Sequence, residues 1–249
     1  MRKLFTVSAA LILGASLLCA QEAGTYNPAG RWYVSVQGGP MYQSNENSFS
    51  YRYNNQGGKL FSYDAAVSVG YNFNETFGIR ASVDYGLNRG ACNTVNTSAH
   101  GFYPYDFKSI GGFVDLTIDF NGLNAVERAF APKIYGGIGM GHSFGFTKPD
   151  GYGSQRTVAW QKEEKFHPWQ HVYESNNAFA FRFGVICEYN FSFGLGLFAD
   201  ACLEAYTDRF NGLQPYEEDN AATGNGKGIA GFPFDLRIPV RLGVVYRFK

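Results

Sequence analysis

Charged side chains of both signs alternate with large apolar side chains along several segments of this chain. In the last segment, Arg237 and Arg241 alternate with Ile238, Val240 and Leu242. The charges that such alternation places on one shared face are Asp64, Arg80, Asp84, Asp115, Arg182, Glu188, Asp200, Glu204, Arg237 and Arg241. Because an unpaired buried charge is costly, this face is expected to form a salt-bridged interior. A proton or ion path through the same charges is the alternative.

Two cross-strand pairs follow from the distance between each charge and the end of its segment. Asp200 lies seven residues after Phe193, and Arg241 lies seven residues before Phe248. Equal distances from one edge place residues opposite each other in an antiparallel pair. We therefore expect Asp200 to face Arg241, and Glu204 to face Arg237 one layer higher.

Histidine and glycine patterns are possible sites of other chemistry. His167 and His171 have the four-residue spacing of helical metal ligands, but no Cys or acidic ligand is spaced to complete that site. His142 and Ser143 could form a base and a nucleophile, yet adjacent strand residues point to opposite faces. The glycine run 136–141 lacks the Lys-Ser/Thr ending of a phosphate loop. With His100 isolated as well, we predict no metal, no cofactor and no enzymatic activity, with a lipid-modifying enzyme as the alternative.

Aromatic side chains are concentrated in one connection of the chain. Phe166, Trp169 and Tyr173 lie within residues 147–176, and the connections are rich in Tyr, Asn and Gly. Aromatic and amide groups suit contact with sugars or proteins. These three residues are candidate ligand-binding aromatics, and packing against each other at the rim is the alternative.

Eight segments show the two-residue period of strands that should position these groups. They are residues 30–39, 60–73, 76–88, 106–120, 133–146, 177–190, 193–208 and 234–249. Residues 121–132 have the spacing of a short helix at a membrane surface, through Leu123, Val126 and Phe130.

The connections alternate in length. Those after segments one, three, five and seven are long, those after two and six are tight, and the fourth is moderate. Long connections on one rim and short turns on the other are typical of an outer-membrane barrel with a lipid-facing apolar wall. A soluble barrel, whose apolar faces would line a ligand cavity, is the alternative.

The N-terminus has the composition of a secretory signal. Arg2 and Lys3 precede the apolar stretch 4–18, and Ala20 offers a cleavage site. We predict a signal peptide at residues 1–20 and a barrel domain at 21–249, with lipidation of Cys19 as the alternative. Without the signal, 19 basic and 21 acidic residues give a net charge of −2, which does not suggest a nucleic-acid partner.

Three cysteines remain after the predicted cleavage site, which is an odd number for a disulfide framework. Strand parity places Cys187 and Cys202 on opposite faces, and Cys92 lies in the connection between segments three and four. We expect no disulfide between Cys187 and Cys202.

The eight segments, the cleavable signal, the four long connections and the terminal Tyr246-Arg247-Phe248 resemble the small outer-membrane β-barrels, such as the OmpA transmembrane domain and OmpX. The resemblance covers residues 30–249 and implies an all-β, eight-stranded antiparallel up-and-down transmembrane barrel in the bacterial outer membrane. It implies a structural or interaction role in envelope integrity, adhesion or binding by the loops, with a narrow pore as another alternative. The implied partners are outer-membrane lipid and lipopolysaccharide, the barrel-assembly machinery through the C-terminal strand, and an extracellular protein or glycan.

Overall fold

Eight antiparallel strands form one closed barrel in the order β1 to β8. The computed structural model describes residues 31–44, 61–93, 102–124, 129–147, 175–191, 193–207, 210–211 and 234–248. The strands are β1 (Trp32–Ser44), β2 (Phe61–Asn72), β3 (Phe77–Asn93), β4 (Phe102–Asp119), β5 (Phe130–Phe144), β6 (Ser175–Asn190), β7 (Leu195–Thr207) and β8 (Phe234–Arg247). Each strand pairs with the next, and β1 pairs with β8, so closure leaves no unpaired edge.

Each predicted strand is confirmed, and two pairs of strands extend further than the sequence indicated. Pairing of β3 with β4 continues to Asn93 opposite Phe102. Likewise, β1 continues to Ser44, which pairs with Leu236 of β8. Apolar alternation ends before these strands do, because the ladder hydrogen bonds of the backbone do not depend on an apolar side chain.

The predicted helix between β4 and β5 is wrong at Phe130, which belongs to β5 and pairs with Tyr189 of β6. Among the described residues of this connection, one turn, α1 (Phe120–Leu123), is helical. The side-chain amide of Asn121 donates to the carbonyl of Phe130 at 2.8 Å, and so connects this turn to β5. Val126 lies outside the described residues. No helix in the described part of the chain has the length and apolar character needed to cross a membrane.

The outer wall is apolar, and the charged groups lie inside. Leu242 is 70% exposed on the outer face of β8, whereas Arg237 and Arg241 are fully buried. The outward side chains of β2, β3 and β6 follow the same rule, with Val67, Val83 and others exposed. The soluble alternative, with apolar faces lining a cavity, is therefore wrong for this barrel.

We call the end of the barrel at which the chain makes its short turns the turn end. Aromatic side chains are concentrated on the outer wall at this end. Trp32 packs beside Tyr71 with ring centroids 5.0 Å apart, and Tyr246 contacts Phe248 edge-on at 5.4 Å. Amphipathic rings at this position suit the boundary between hydrocarbon and headgroups. The opposite end, from which the long connections leave, is called the loop end.

Inward glycines make room for aromatic side chains that fill the barrel. A Cβ atom built on Gly184 of β6 would overlap the ring of Tyr135, whereas one built on the outward Gly112 of β4 would meet nothing within 4 Å.

We expect Gly184→Ala to lower the free energy of unfolding by about 1–3 kcal/mol, because the displaced Tyr135 ring has no free volume to enter. Gly112→Ala is the matched control and should be neutral or slightly stabilising. Urea unfolding in lipid vesicles would compare the two variants. Equal effects would contradict the close packing of Tyr135 against β6.

Candidate functional site: the barrel interior and its loop end

The buried charges form three layers between the turn end and the loop end. The lower cluster contains Asp119, Lys133, Glu188 and Arg247. The middle cluster contains Arg80, Asp115, Arg182 and Asp200. The upper cluster contains Asp64, Asp84, Glu204, Arg237 and Arg241. All ten charges expected inside from the sequence are therefore buried in one of these clusters.

The lower cluster centres on Glu188 of β6. Lys133 Nζ lies 3.0 Å from Glu188 Oε2 and 3.5 Å from Asp119 Oδ2. Arg247 donates to the same Glu188 and, at 2.5 Å, to the side-chain oxygen of Asn190. Sequence reasoning did not include Lys133 or Arg247 in the charge network. The inward parity of Arg247 in the last strand was a signal for it, whereas the glycine-rich β5 gave no clear alternation around Lys133.

Asp115 of β4 connects the two arginines of the middle cluster. It accepts from Arg80 Nε at 2.8 Å and from Arg182 Nε at 2.6 Å. The hydroxyl of Tyr135 donates to Asp200 Oδ1 at 2.8 Å, and the Arg80 guanidinium lies 4.0 Å from the centre of the Tyr135 ring. Two cations and two carboxylates thus balance within this layer.

The upper cluster joins strands from both sides of the barrel closure. Arg241 Nε donates to Asp64 Oδ2 at 2.8 Å, and Arg241 Nη2 donates to Glu204 Oε1 at 3.0 Å. Arg237 Nη1 lies 3.3 Å from Glu204 Oε2 and 3.7 Å from Asp84 Oδ1. Two cations here face three carboxylates.

The strand register places Asp200 opposite Arg241 and Glu204 opposite Arg237. Glu204 and Arg237 also form an ion pair, but the side chains of Asp200 and Arg241 pair with other residues. Arg241 reaches Asp64 and Glu204, while Asp200 lies near Arg80, with a 3.8 Å ion pair. In so narrow a barrel, a long guanidinium can reach a carboxylate two strands away as easily as one directly opposite.

Aromatic side chains close the interior above the upper cluster. Phe210, from the connection after β7, stacks on Tyr206 with ring centroids 3.9 Å apart, and Phe107 packs against its edge at 5.9 Å. Arg237 Nη1 donates to the Tyr206 hydroxyl at 2.8 Å. Tyr206 and Phe210 are both fully buried. Sequence reasoning missed this closure, because Phe210 lies beyond the strand in a connection without periodicity.

An open cleft of about 450 Å³ lies at the loop end, beside β2 to β5. Its charged lining is Arg89, Asp106 and Lys108. Arg89 Nε contacts Asp106 Oδ1 at 2.8 Å in a solvent-exposed ion pair. The hydroxyls of Ser62 and Thr147 in this cleft accept hydrogen bonds from the backbone N–H groups of Arg89 and Asp106, both at 2.8 Å.

The remaining candidate groups do not assemble into a catalytic or metal site within the described part of the chain. His142 faces outward and contacts the Asn177 side chain at 2.8 Å, while Ser143 is buried inside, so these neighbours are not a catalytic pair. Cys187 and Cys202 lie on opposite faces of the wall and do not form a disulfide with each other. His100, His167, His171, Phe166, Trp169 and Tyr173 lie outside the described residues.

Comparison with known proteins gives structural matches only. No protein-family model matches the chain, and no curated sequence matches it significantly. Ail of Yersinia pestis, solved with the heparin analogue sucrose octasulfate, is 13% identical over 88% of this chain and 99% of Ail, with a TM-score of 0.44. Neisserial surface protein A is 13% identical over 87% and 97% of the chains, with a TM-score of 0.45. A major outer membrane protein of Thermus thermophilus is 14% identical over 88% and 100%, with a TM-score of 0.49.

The distribution of side chains identifies the environment of the barrel. A closed wall with exposed Val, Leu and Phe outside, aromatic rings at its turn end and ion-paired charges inside has the polarity of a protein dissolved in lipid. Only a closed barrel or a helix satisfies all backbone hydrogen bonds in hydrocarbon, and here the eight strands close completely. The chain is therefore an eight-stranded outer-membrane β-barrel.

Proposed function

We propose that this protein is a closed, non-conducting barrel with a structural or interaction role at the cell surface. The observation that carries the proposal is the sealed interior. Three ion-paired clusters fill it, and Tyr206 and Phe210 cover it at the loop end. An ion crossing it would have to displace buried guanidiniums from their carboxylates, which is energetically costly.

The long connections at the loop end remain as the part of the protein that meets partners. The strand bounds leave connections of residues 45–60, 94–101, 145–174 and 208–233 at that end, against the short turns 73–76 and 191–194 at the other. We assign ligand binding to Phe166, Trp169 and Tyr173 in the third of these connections. Aromatic rings stack on the apolar faces of sugars, so a glycan is the favoured ligand and an extracellular protein is the second choice.

We infer the partners of the protein within the membrane from the apolar outer wall of the barrel. Its apolar side chains suit the hydrocarbon of outer-membrane lipid and of lipopolysaccharide. The C-terminal Tyr246-Arg247-Phe248 is the element we assign to recognition by the barrel-assembly machinery. No cofactor and no catalytic activity are part of the proposal.

Planar-bilayer recording of the purified protein tests the sealed interior. We expect no steady conductance from the unmodified barrel, and we expect openings after the combined Tyr206→Ala and Phe210→Ala changes, which remove the aromatic cover. A steady conductance of the unmodified protein would contradict the closed barrel and favour a narrow pore.

Ligand binding is tested separately, with the barrel in lipid nanodiscs on arrays of glycans and extracellular proteins. Binding should be lost when residues 148–174 are replaced by a short Gly-Ser turn, and reduced by the triple change of Phe166, Trp169 and Tyr173 to Ala. The unboiled gel migration of each variant controls for folding. Binding that survives both changes would exclude this connection as the ligand site.

A further inference from the structure

The upper cluster contains one carboxylate more than it has cations. Asp64, Asp84 and Glu204 face Arg237 and Arg241. In the lower cluster and again in the middle cluster, two cations balance two carboxylates. One uncompensated negative charge therefore remains in the upper layer of the barrel.

Asp84 is the carboxylate that lacks hydrogen bonds. It is 1% exposed, and neither of its side-chain oxygens has a hydrogen-bond partner in the described structure. Its single ion pair in the described part of the chain is the 3.7 Å contact with Arg237. Asp64 and Glu204, in contrast, each accept a hydrogen bond of 3.0 Å or less from Arg241.

The strands on both sides of Asp84 provide no donor to its carboxylate. Its cross-strand neighbours are Ala66 on β2 and Gly111 on β4. The Asp84 carboxylate occupies the space above Gly111, where a Cβ atom would lie 2.7 Å from Asp84 Oδ1. The two cross-strand neighbours thus offer no polar side chain to a carboxyl group that needs donors to both oxygens only when it is ionised.

The other charged groups around Asp84 do not remove this imbalance. Above it, Asp235 of β8 is buried at the loop end and accepts a hydrogen bond from the backbone N–H of Asn211. Below it, Arg182 of β6 already donates to Asp115 at 2.6 Å and to Ser82 at 2.5 Å. Tyr206 of β7 accepts a hydrogen bond from Arg237 and donates one to Glu204 at 3.3 Å. β1 and β5 contribute no charged side chain to this layer among the residues described.

We propose that Asp84 binds one proton in the folded barrel and so neutralises the upper cluster. A buried carboxyl without donors is more stable as the neutral acid, because ionisation would leave an uncompensated charge in a low-dielectric interior. The proton comes from bulk solvent when the chain folds and returns to it on unfolding. The upper cluster then holds two cations and two anions, as the other layers do.

Proton binding by the folded state alone fixes the sign of the pH dependence. Unfolding releases the proton at any pH above about 4, where an exposed Asp is ionised. The stability of the unmodified barrel should therefore fall as the pH rises, by up to about tenfold in the folded-to-unfolded ratio per pH unit from this group. Asp84→Asn keeps the shape of the side chain and removes this part of the slope.

Urea unfolding in lipid vesicles between about pH 5 and pH 9 compares Asp84→Asn with Asp115→Asn, because a proton bound by the folded state alone makes stability depend on pH. The first variant should be at least as stable as the unmodified barrel at the upper pH. The second removes a carboxylate that serves two arginines, so it should be less stable at every pH with an unchanged slope. If Asp115→Asn does not fold, the comparison of Asp84→Asn with the unmodified barrel still decides.

Infrared spectroscopy provides a readout that packing alone would not change. The carbonyl band of a protonated carboxylic acid should be present in the folded barrel at about pH 5, where an exposed Asp is ionised, and absent from Asp84→Asn. The proposal fails if that band is absent from the unmodified barrel, or if Asp84→Asn lowers stability at every pH. A stability that follows sodium concentration instead of pH would also overturn it and indicate a bound metal cation.

Discussion

Replacing Arg241 with Ala should lower the free energy of unfolding by about 3–5 kcal/mol, because it leaves buried carboxylates without their cation. Arg241 is fully buried and donates to both Asp64 and Glu204. Its loss would leave Arg237 as the one cation for the carboxylates of the upper cluster. The unboiled protein should then lose its compact gel migration at a lower temperature than the unmodified barrel.

Arg89→Ala provides the matched control for this prediction. Arg89 forms its 2.8 Å ion pair with Asp106 at the exposed loop end. Ion pairs in water contribute about 0–1 kcal/mol, so this variant should unfold almost like the unmodified protein. If Arg241→Ala were as mild as Arg89→Ala, the buried ion pairs would not be what holds the interior together.

The second large effect is expected on the outer wall. Val240→Arg places a charge halfway along β8, on a face where Val240 is 49% exposed. A cation at the middle of the hydrocarbon layer costs about 2–4 kcal/mol in a membrane barrel. The free energy of unfolding in lipid vesicles should fall by that amount, whereas in a soluble protein an exposed Val tolerates this change.

Phe248→Arg separates depth in the membrane from the loss of an apolar side chain. Phe248 is also exposed on the outer face, but it lies at the turn end beside Tyr246. A cation near the interface costs about 0–1 kcal/mol. Equal costs at Val240 and Phe248 would show that the wall does not cross the hydrocarbon layer as described.

The side-chain partners inside the barrel illustrate what could not be predicted from spacing. The distance of Asp200 and Arg241 from their strand ends correctly indicates that they are opposite in the ladder. Nevertheless, the side chain of Asp200 forms its ion pair with Arg80 of β3, and that of Arg241 pairs with Asp64 of β2. The register of a strand pair depends on backbone hydrogen bonds between two adjacent strands. The ion-pair partner of a buried side chain depends on the positions of all eight strands together.

Closure of the loop end shows the same difference. Nothing in the local sequence distinguishes Phe210 from other aromatic residues in the connections. Its stacking on Tyr206 depends on the space left inside the barrel after the upper cluster has formed. In the same way, Phe130 is not part of the predicted helix after β4, because it pairs with Tyr189 of β6.

The eight strands, the faces they expose and the burial of their charges could be predicted from the amino-acid sequence. These properties follow from a two-residue period that each strand carries in its own side chains. The folded barrel was needed to show which charges meet, that Asp84 is left without a donor, and that Phe210 stacks on Tyr206 inside the barrel. Those outcomes depend on distances across a closed barrel, which no single segment of the chain encodes.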